Sequence, residues 1–375
     1  SNDFARACNQ RTKKVTIIQG EPNQRPLTLA QRSLAAVWHP CTQMKRLEKT
    51  PPLAIARAQG AYLFDVQGRR YIDGISSWWT CIFGHNHPQI RASLIDQLQT
   101  LDHTMLAGLT HEPVIALSER LAALTGLGHA FYGSDGASST EIALKMSMHY
   151  WRNKGQPAKN EFLALAGGYH GETLGALGVT DVPIFRSAYE QAIRACRTVR
   201  VPIMAPNEGG NQSAVVNEAL KELELVLINH GKTLAAFILE PLVMCANGMK
   251  MYHPSYLTGV VALCRSYQVH VIFDEIAVGF GRTGYLFAHQ AADVKPDFLC
   301  LSKALTGGTM ALSVTLTTDD IYGAFWDDDV EMGFLHSHSY SGNPLACSAA
   351  LAVLDLFELE NVVEHNRQKS QEWSA

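Results

Sequence analysis

The sequence is poor in the features that mark disulfide-bonded, membrane-spanning and nucleic-acid-binding proteins. Its eight cysteines are scattered and form no C-x-x-C pair, which disfavours both a disulfide framework and a cysteine zinc site. No uninterrupted apolar run approaches the length of a membrane span, because Glu240 and Pro241 break the run Leu234–Cys245. Positive charge is also scarce, since 31 basic residues face 35 acidic ones and no Lys/Arg cluster stands out. Together with the lack of a signal-peptide pattern at Ser1–Phe4, this predicts a cytoplasmic protein without membrane or nucleic-acid partners.

Metal-binding histidine motifs are missing as well. His85 and His87, like His336 and His338, have no carboxylate at ligand spacing, and the chain contains no H-E-x-x-H sequence. The pattern predicts loop histidines that make hydrogen bonds, and no metal site.

The sequence does contain a regular alternation of helix and strand patterns. Of its 375 residues, 47% are hydrophobic and 18% are charged, which is typical of a compact protein with little disorder. Residues 54–74 predict a hairpin. Helical periodicity follows at Pro88–Leu101, Glu112–Leu124, Ser138–Arg152 and Pro344–Leu359. Strand-like runs occur at Ala130–Gly133, Phe162–Ala166, Leu234–Leu239, Val269–Asp274, Phe298–Leu301 and Leu312–Thr317. This order predicts an α/β protein with a mostly parallel sheet flanked by helices, which binds ligands beyond the carboxyl ends of its strands.

One lysine and one aspartate fall at such strand ends. Lys303 lies in the pentapeptide Leu301–Leu305 after one strand, and Asp274 ends another strand 29 residues earlier. A pyridoxal phosphate enzyme needs this pair, because an amine must bind the cofactor aldehyde and a carboxylate must keep the pyridine nitrogen protonated. Taken alone, Lys303 fits a solvated loop lysine better and Asp274 fits a strand-end cap; the surrounding segments favour the cofactor site.

Three further segments contain groups that could hold such a cofactor. The segment Tyr132–Glu141 joins a strand to a helix, so its free N–H groups could bind a phosphate; the alternative is a plain capping box of Ser138 and Glu141, and both interpretations can hold together. Tyr169, within Gly168–Gly171, could stack on a flat ring or simply pack on its neighbours. Ser339 is either a phosphate ligand or an ordinary exposed serine.

Two segments could bind a substrate. The tryptophans of Ser76–Trp79 cannot both be buried on one face of a strand, so one is expected to line a cavity, with core-plus-surface packing as the alternative. Gly279–Gly284 matches G-x-G-x-x-G, which keeps a nicotinamide oxidoreductase as an alternative function. That fingerprint should open a helix, however, and residues 285–288 predict an extended segment. We therefore interpret it as a glycine loop that presents Arg282 either to a carboxylate or to a structural ion pair.

Together these segments resemble the class III, or ornithine-type, aminotransferases, which are pyridoxal phosphate enzymes of fold type I. The similarity spans roughly residues 30–360 and rests on His39-Pro40, Asp73-Gly74, Ser76–Trp79, Gly84–Pro88, Gly168–Gly171, Glu240-Pro241, Asp274–Ile276, Gly279–Gly284, Leu301–Thr309 and Gly342–Cys347. Within the family, the Trp78-Trp79 pair and the run Lys303–Thr309 favour the branch that acts on 8-amino-7-oxononanoate in biotin biosynthesis.

The resemblance implies how these residues hold the cofactor. Lys303 would carry pyridoxal 5′-phosphate covalently, and Asp274 would pair with its ring nitrogen. Tyr169 would stack near the ring and contact the substrate. Gly136 and Ala137 would donate backbone N–H groups to the phosphate.

The resemblance also implies substrate and subunit contacts. Trp78 and Trp79 would line the substrate channel, and Arg282 would bind the carboxylate of the long keto acid. Glu240 would lie behind the residues that touch the cofactor. Ser339 would reach the phosphate from the partner subunit, which makes a homodimer necessary for a complete site.

The implied reaction is a ping-pong transamination of 8-amino-7-oxononanoate to 7,8-diaminononanoate, with S-adenosyl-L-methionine as the expected donor. An ω-amino acid aminotransferase of the same family is the nearest alternative. The implied domains are an N-terminal arm and small-domain segment (residues 1–75) and a large cofactor-binding domain (76–345). A linking helix and the start of a truncated C-terminal small domain (346–375) would follow, so that the chain termini form a smaller α+β domain.

The sequence departs from the family pattern in three places. Cys41 stands where a tyrosine is expected, and Ala137 replaces a serine that is common there. Most of the C-terminal small domain, with an arginine for the donor's carboxylate, would lie beyond residue 375. A chain without it could hold the cofactor and turn nothing over, which is a further hypothesis.

Overall fold

The computed structural model describes residues 27–203 and 212–374, and the chain divides into two compact units. One comprises Ser1–Ala58 and Tyr62–Ile72, and the other comprises Gln59–Ala61 and Asp73–Ala375. Of the predicted arm, residues 1–30, residues 1–26 lie outside the described part of the chain. The predicted domain boundaries after residues 75 and 345 stay predictions.

The smaller unit contains short helices and a three-stranded sheet. Its elements are α1 (Leu29–Ala36), α2 (Met44–Leu47), β1 (Ile55–Gln59), β2 (Tyr62–Asp65) and β3 (Arg70–Ile72), with the strand order β1-β2-β3. The predicted hairpin is formed by β2 and β3, which are antiparallel. Asp65 holds its turn by accepting the backbone N–H groups of Gln67 and Arg69. No sequence pattern indicated β1 as a separate strand, because four of its five residues are exposed and show no apolar alternation.

The larger unit is built on a seven-stranded sheet. The strands that follow along the chain are β4 (His129–Gly133), β5 (Glu161–Leu165), β6 (Arg197–Val199), β7 (Leu234–Leu239), β8 (Val243–Met244), β9 (Lys250–Met251), β10 (His270–Asp274), β11 (Phe298–Leu301) and β12 (Ser313–Thr317). The sheet order is β4-β12-β11-β10-β7-β5-β6, while β8 and β9 pair as a separate ribbon. Strand β12 is antiparallel to both of its neighbours. It reverses because the loop that joins it to β11 is too short for a crossover helix. The predicted, mostly parallel sheet is confirmed with this exception.

Helices surround this sheet. They are α3 (Pro88–Leu98), α4 (Glu112–Thr125), α5 (Gly136–Asn153), α6 (Leu174–Val179), α7 (Pro183–Arg186), α8 (Gln212–His230), α9 (Ser255–Ser266), α10 (Asp319–Gly323), α11 (Pro344–Leu359) and α12 (Val362–Ser374). Short 3-10 turns lie at Ser187–Tyr189, Cys245–Asn247, Ala288–Ala292, Lys303–Thr306 and Val330–Met332. Helix α11 has its predicted bounds, and α3 ends three residues before the predicted Leu101.

Both faces of the sheet are buried. On β7, Phe237 and Leu239 pack in one apolar cluster, whereas Ala236 and Ile238 pack in a second cluster on the other side. Successive side chains of a strand point to opposite faces, so this division shows that helices cover the sheet on both sides. A ligand is therefore expected at the edge where the parallel strands end.

The loops at that edge contain the predicted site residues. The last residues of the strands concerned are Gly133, Leu165, Leu239, Asp274 and Leu301. Asp274 is itself one of these strand ends. Each of the other four is followed within a few residues by a predicted site residue, in the same order Gly136, Tyr169, Glu240 and Lys303. The parallel topology thus brings residues from distant parts of the sequence to one edge.

Two kinds of feature are missing from residues 27–203 and 212–374. No helix there combines the length and apolar character needed to cross a bilayer. No group of three or more His, Cys, Asp or Glu side chains there could hold a metal ion.

Candidate active site

Lys303 begins the 3-10 turn that follows β11. Its φ of 45° lies in the left-handed region, which is costly for a residue other than glycine and recurs at functional sites. Its Nζ lies 5.0 Å from the centre of the Trp79 ring. Burial lowers the pKa of Lys303, and the negative charges of Asp274 and Glu240 offset only part of that effect. This amine therefore loses its proton more readily than a surface lysine, as a nucleophile or base requires.

Asp274 is buried at the end of β10, with 4% of its surface exposed. Its Oδ2 accepts a hydrogen bond from His170 Nδ1 at 2.7 Å, and its Oδ1 accepts the Ile276 N–H at 3.0 Å. The other ring nitrogen, His170 Nε2, is buried and has no partner within the described chain. Asp274 is thus a buried acid with His170 as its one side-chain partner, and a cationic ring bound beside it would give it a second partner.

Tyr169 lies in the loop after β5, and Glu240 follows β7. Glu240 Oε2 accepts the Tyr169 N–H at 3.2 Å, and Oε1 accepts the Cys245 N–H at 3.0 Å. Burial raises the pKa of Glu240 to about 7, although the neighbouring His170 lowers it. One buried carboxyl group therefore ties the tyrosine loop to the turn that begins at Cys245.

The start of helix α5 offers unused donors. Asp135 caps the helix by accepting the Ser138 N–H at 2.8 Å, which leaves the N–H groups of Gly136 and Ala137 without an acceptor among the described residues. A Cβ on Gly171, at φ 119°, would lie 2.6 Å from Ala137 Cβ, so the tyrosine loop packs directly against this helix start. Free N–H groups at a helix start favour a bound phosphate.

A cavity of about 1090 Å³ is lined by Trp79, Cys245 and Arg282, and Trp79 is the residue whose ring lies near Lys303. Trp79 belongs to Ser76–Trp79, in which each residue has a positive φ between 48° and 65°. Arg282 Nη2 donates to the Trp79 carbonyl oxygen at 2.8 Å. Trp78 is 57% exposed and is not among the described residues that line this cavity.

The glycine loop Gly279–Gly284 does not open an α-helix. Residues 285–287 have no regular structure, and only the 3-10 turn Ala288–Ala292 follows. The dinucleotide fingerprint therefore lacks the helix that its mechanism requires.

The structure brings some predicted residues together and leaves others apart. The charges of Asp274, Glu240 and Arg282 all act on Lys303. Ser339 is exposed and makes no hydrogen bond in the described part of this chain, whereas the neighbouring His338 accepts from or donates to Ser134 Oγ at 3.0 Å. Cys41 lies in the smaller unit and is exposed.

Sequence reasoning assigned no role to His170 or Cys245. His170 stands inside the predicted Gly168–Gly171 loop, but its pairing with Asp274 joins residues 104 positions apart. Burial raises the pKa of the Cys245 thiol to about 12, so the thiol is neutral near the site. The only sequence signal for a role of His170 was its position next to Tyr169, the predicted stacking residue.

Three features of this edge fit pyridoxal phosphate. Asp274, a buried acid at a strand end, suits the ring nitrogen; Lys303, with its lowered pKa, suits the aldehyde. The unused N–H groups at the start of α5 suit the phosphate.

The family model and the curated relatives that match this chain are aminotransferases. The model of the family described as "Aminotransferase class-III" matches residues 43–375. The adenosylmethionine-8-amino-7-oxononanoate aminotransferase of Helicobacter pylori is 45% identical over 344 residues, which cover 91% of this chain and 77% of the relative.

Solved structures agree in fold. The crystal structure of the adenosylmethionine-8-amino-7-oxononanoate aminotransferase of Methanocaldococcus jannaschii superposes with a TM-score of 0.84 at 36% identity, covering 90% of this chain and 76% of that one. An amine transaminase from an uncultivated Pseudomonas species, solved in a PLP-bound form, gives 0.82 at 31% identity, covering 87% and 75%. The chain thus spans about three quarters of the length of each of these proteins.

Proposed function

This chain belongs to the class III aminotransferase family, and from that premise we propose that it aminates 8-amino-7-oxononanoate to 7,8-diaminononanoate in biotin biosynthesis. Its cofactor is pyridoxal 5′-phosphate, on which class III aminotransferases depend. The observation that carries the proposal is the position of Lys303, with its lowered pKa, and of the buried Asp274 at the ends of two neighbouring parallel strands. The identity to the Helicobacter pylori relative supports the choice of substrate.

In this proposal Lys303 and Asp274 are the catalytic residues. The cofactor, when bound, supplies an electron sink for the carbanion at the substrate Cα. Lys303 would hold the cofactor and, when its Nζ is neutral, would carry the proton from the donor's Cα to the C4′ carbon of the cofactor, and in the opposite direction for the acceptor. The carboxylate of Asp274 keeps the ring nitrogen protonated, and His170 holds that carboxylate in place.

The remaining predicted contacts complete the proposed site. Tyr169 would contact the ring, and the N–H groups of Gly136 and Ala137 would bind the phosphate. Ser339 of a second subunit adds a hydroxyl to the same phosphate, so that the enzyme works as a homodimer. Arg282 binds the substrate carboxylate.

The substrate channel, the donor and the domains are also proposals. Trp79, which lines the cavity, would contact the aliphatic chain of the keto acid; Trp78 and Tyr169, which are not among the described residues that line it, stay predicted channel residues. S-adenosyl-L-methionine is the amino donor, and the reaction takes place in the cytoplasm. Residues 76–345 act as the cofactor-binding domain, between the segments 1–75 and 346–375 that contribute to a small domain.

Amino-acceptor profiling tests the function. We expect the purified protein, loaded with pyridoxal phosphate, to aminate 8-amino-7-oxononanoate with S-adenosyl-L-methionine as donor and to lose this activity in Lys303→Ala. Lysine replaces S-adenosyl-L-methionine in a parallel reaction, which identifies the donor. A protein that ignores 8-amino-7-oxononanoate and aminates pyruvate would instead be an ω-amino acid aminotransferase.

The native mass tests the subunit arrangement. One chain has a mass of 41.2 kDa, and light scattering is expected to give twice that value. A fully active protein of single-chain mass would reject the role of Ser339 across a subunit boundary.

A further inference from the structure

The glycine loop that carries Arg282 is a tight turn closed by backbone hydrogen bonds. Gly281 and Gly284 have φ values of 83° and 84°, which favour glycine. The Gly284 N–H donates to the Gly281 carbonyl, and the Gly281 N–H donates to the Leu286 carbonyl, both at 3.1 Å. The two N–H groups are thus used within the loop. The Gly284 carbonyl oxygen accepts no N–H of the loop, and the Gly281 oxygen, which accepts one, has a second lone pair for another element.

Two consecutive residues of helix α12 bind those carbonyl groups. Asn366 Nδ2 donates to the Gly281 oxygen at 3.3 Å, and Arg367 Nε donates to the Gly284 oxygen at 2.5 Å. The Arg367 guanidinium also lies over the Tyr285 ring, 4.9 Å from its centre. Helix α12 therefore binds the loop on both sides of Arg282.

The helix contacts the loop closely at both points. A Cβ on Gly281 would lie 3.4 Å from Asn366 Nδ2, and a Cβ on Gly284 would lie 3.5 Å from Arg367 Cγ. All four residues also line the cavity that Trp79 and Arg282 share. Movement of α12 would therefore move the loop that forms one wall of this cavity.

Arg282 itself makes few contacts that could fix it. It uses one of its five N–H donors on the Trp79 carbonyl, and no carboxylate of the described chain pairs with it. A guanidinium that recognises a carboxylate through two parallel hydrogen bonds must be held in a defined orientation. The loop backbone, and hence α12, supplies that orientation.

We propose that Asn366 and Arg367 are positioning residues that hold Arg282 in place for the carboxylate of the substrate. The inference rests on the proposed function, because it takes Arg282 as the carboxylate-binding group. Its physical basis is that Asn366 and Arg367 act on the backbone on either side of Arg282 and not on the substrate. Their loss should weaken carboxylate binding and leave the chemistry at the Cα intact.

Steady-state kinetics with a matched acceptor test this role. The variants Asn366→Asp and Arg367→Met each remove one donor to the loop while keeping the size or stem of the side chain. Each is expected to raise the KM for 8-amino-7-oxononanoate about fivefold, the effect of one lost hydrogen bond, with kcat unchanged. The KM for the methyl ester of the same acceptor should stay constant, because the ester has no carboxylate for Arg282. In an Arg282→Ala background, neither variant should have a further effect on KM.

Lys369→Met is the matched control. Lys369 lines the same cavity two residues further along α12, and its replacement removes a positive charge without touching the loop. If Lys369→Met raises the KM as much as Arg367→Met, or if the variants act equally without Arg282, the positioning role is wrong. A KM for the ester that rises in parallel would also overturn it.

A second measurement does not depend on turnover. The rate at which phenylglyoxal modifies Arg282, followed by mass spectrometry, should change severalfold in Asn366→Asp and stay constant in Lys369→Met. An unchanged rate in Asn366→Asp would overturn the inference even if the enzyme is active. A wild-type protein that does not aminate the keto acid would reject the proposed function, while the modification rates would still decide whether α12 positions Arg282.

Discussion

Asp274 and Glu275 are neighbours at the end of β10, and each is paired with a histidine Nδ1 at 2.7 Å. The surroundings of the two acids nevertheless differ. Glu275 is fully buried and accepts three hydrogen bonds, from the N–H groups of Ala288 and His289 and from the His289 ring. Asp274 accepts two, and the far nitrogen of its partner His170 is buried without a partner in the described chain.

The difference separates a structural acid from a functional one. Both oxygens of Glu275 are satisfied by the turn Ala288–Ala292, and His289 stacks on Phe287. Glu275 therefore links one element of the fold to another and has no capacity left for a ligand. Asp274 and His170 leave a buried ring nitrogen without a partner in the described chain at the strand edge, which is costly unless a ligand shares the site.

The largest effect is expected from Asp274→Asn. An amide of the same shape carries no negative charge to keep the cofactor ring nitrogen protonated, so kcat should fall on the order of a thousandfold. The fold should stay intact, because the amide introduced by this substitution keeps an oxygen that can accept a hydrogen bond. Single-turnover kinetics measure the loss of rate, and the visible absorbance of the bound cofactor shows whether the folded site still holds it. A normal kcat in Asp274→Asn would show that Asp274 has no functional role that Glu275 lacks.

Glu275→Gln should lower the stability of the fold and leave the activity nearly unchanged. The new NH₂ group would face donors that now bind a carboxylate oxygen, and the free energy of unfolding should fall by about 3 kcal/mol. Activity of the folded fraction should be nearly unchanged. Urea denaturation measures the stability, and kcat per folded site is its control. A loss of kcat without a loss of stability would show that Glu275 takes part in the chemistry.

Glu240 extends the comparison to an acid that no histidine of the described chain hydrogen-bonds. Burial raises its pKa from 4.5 to about 7, so the folded chain keeps this proton between those pH values while the unfolded chain releases it. Its contribution to stability is therefore fully present below pH 4.5 and is lost as the pH rises to about 7, by at most about 3 kcal/mol. Glu240→Gln should remove this slope in urea denaturation, and Glu224→Gln, on the exposed side of α8, should keep it. An unchanged slope in Glu240→Gln would assign the pH dependence to another group.

The parts of the fold that could be predicted from the sequence share one property. Strands β7 and β11 are completely buried, so Leu234–Leu239 and Phe298–Leu301 stand out as unbroken apolar runs, and their predicted bounds are the observed ones. Strand β6 was missed because two of its three residues are exposed and only Val199 is buried. The direction of β12 depends on the loop before it, which a pattern of apolar residues does not describe.

The site divides in the same way. Lys303 and Asp274 could be placed because each directly follows or ends a recognisable strand. The partner of Asp274 could not, because His170 meets it only through the order β10-β7-β5 in the sheet. Likewise, nothing in the sequence of α12 indicates that Asn366 and Arg367 bind the glycine loop. Local patterns predict where a strand ends, and only the tertiary arrangement determines which side chains meet there.

The smallest effect is expected at His170, and it compares the two histidines directly. A carboxylate only accepts hydrogen bonds, so Nδ1 of His170 donates to Asp274. His170→Ala removes this donor and should lower kcat about tenfold, since one charge-assisted hydrogen bond is lost. His170→Asn places an amide donor near the position of Nδ1 and should recover most of that loss. His289→Ala, at Glu275, should lower the free energy of unfolding and leave kcat unchanged. If the two alanine variants change kcat and stability alike, the two histidines have the same role and the unused nitrogen of His170 has no functional meaning.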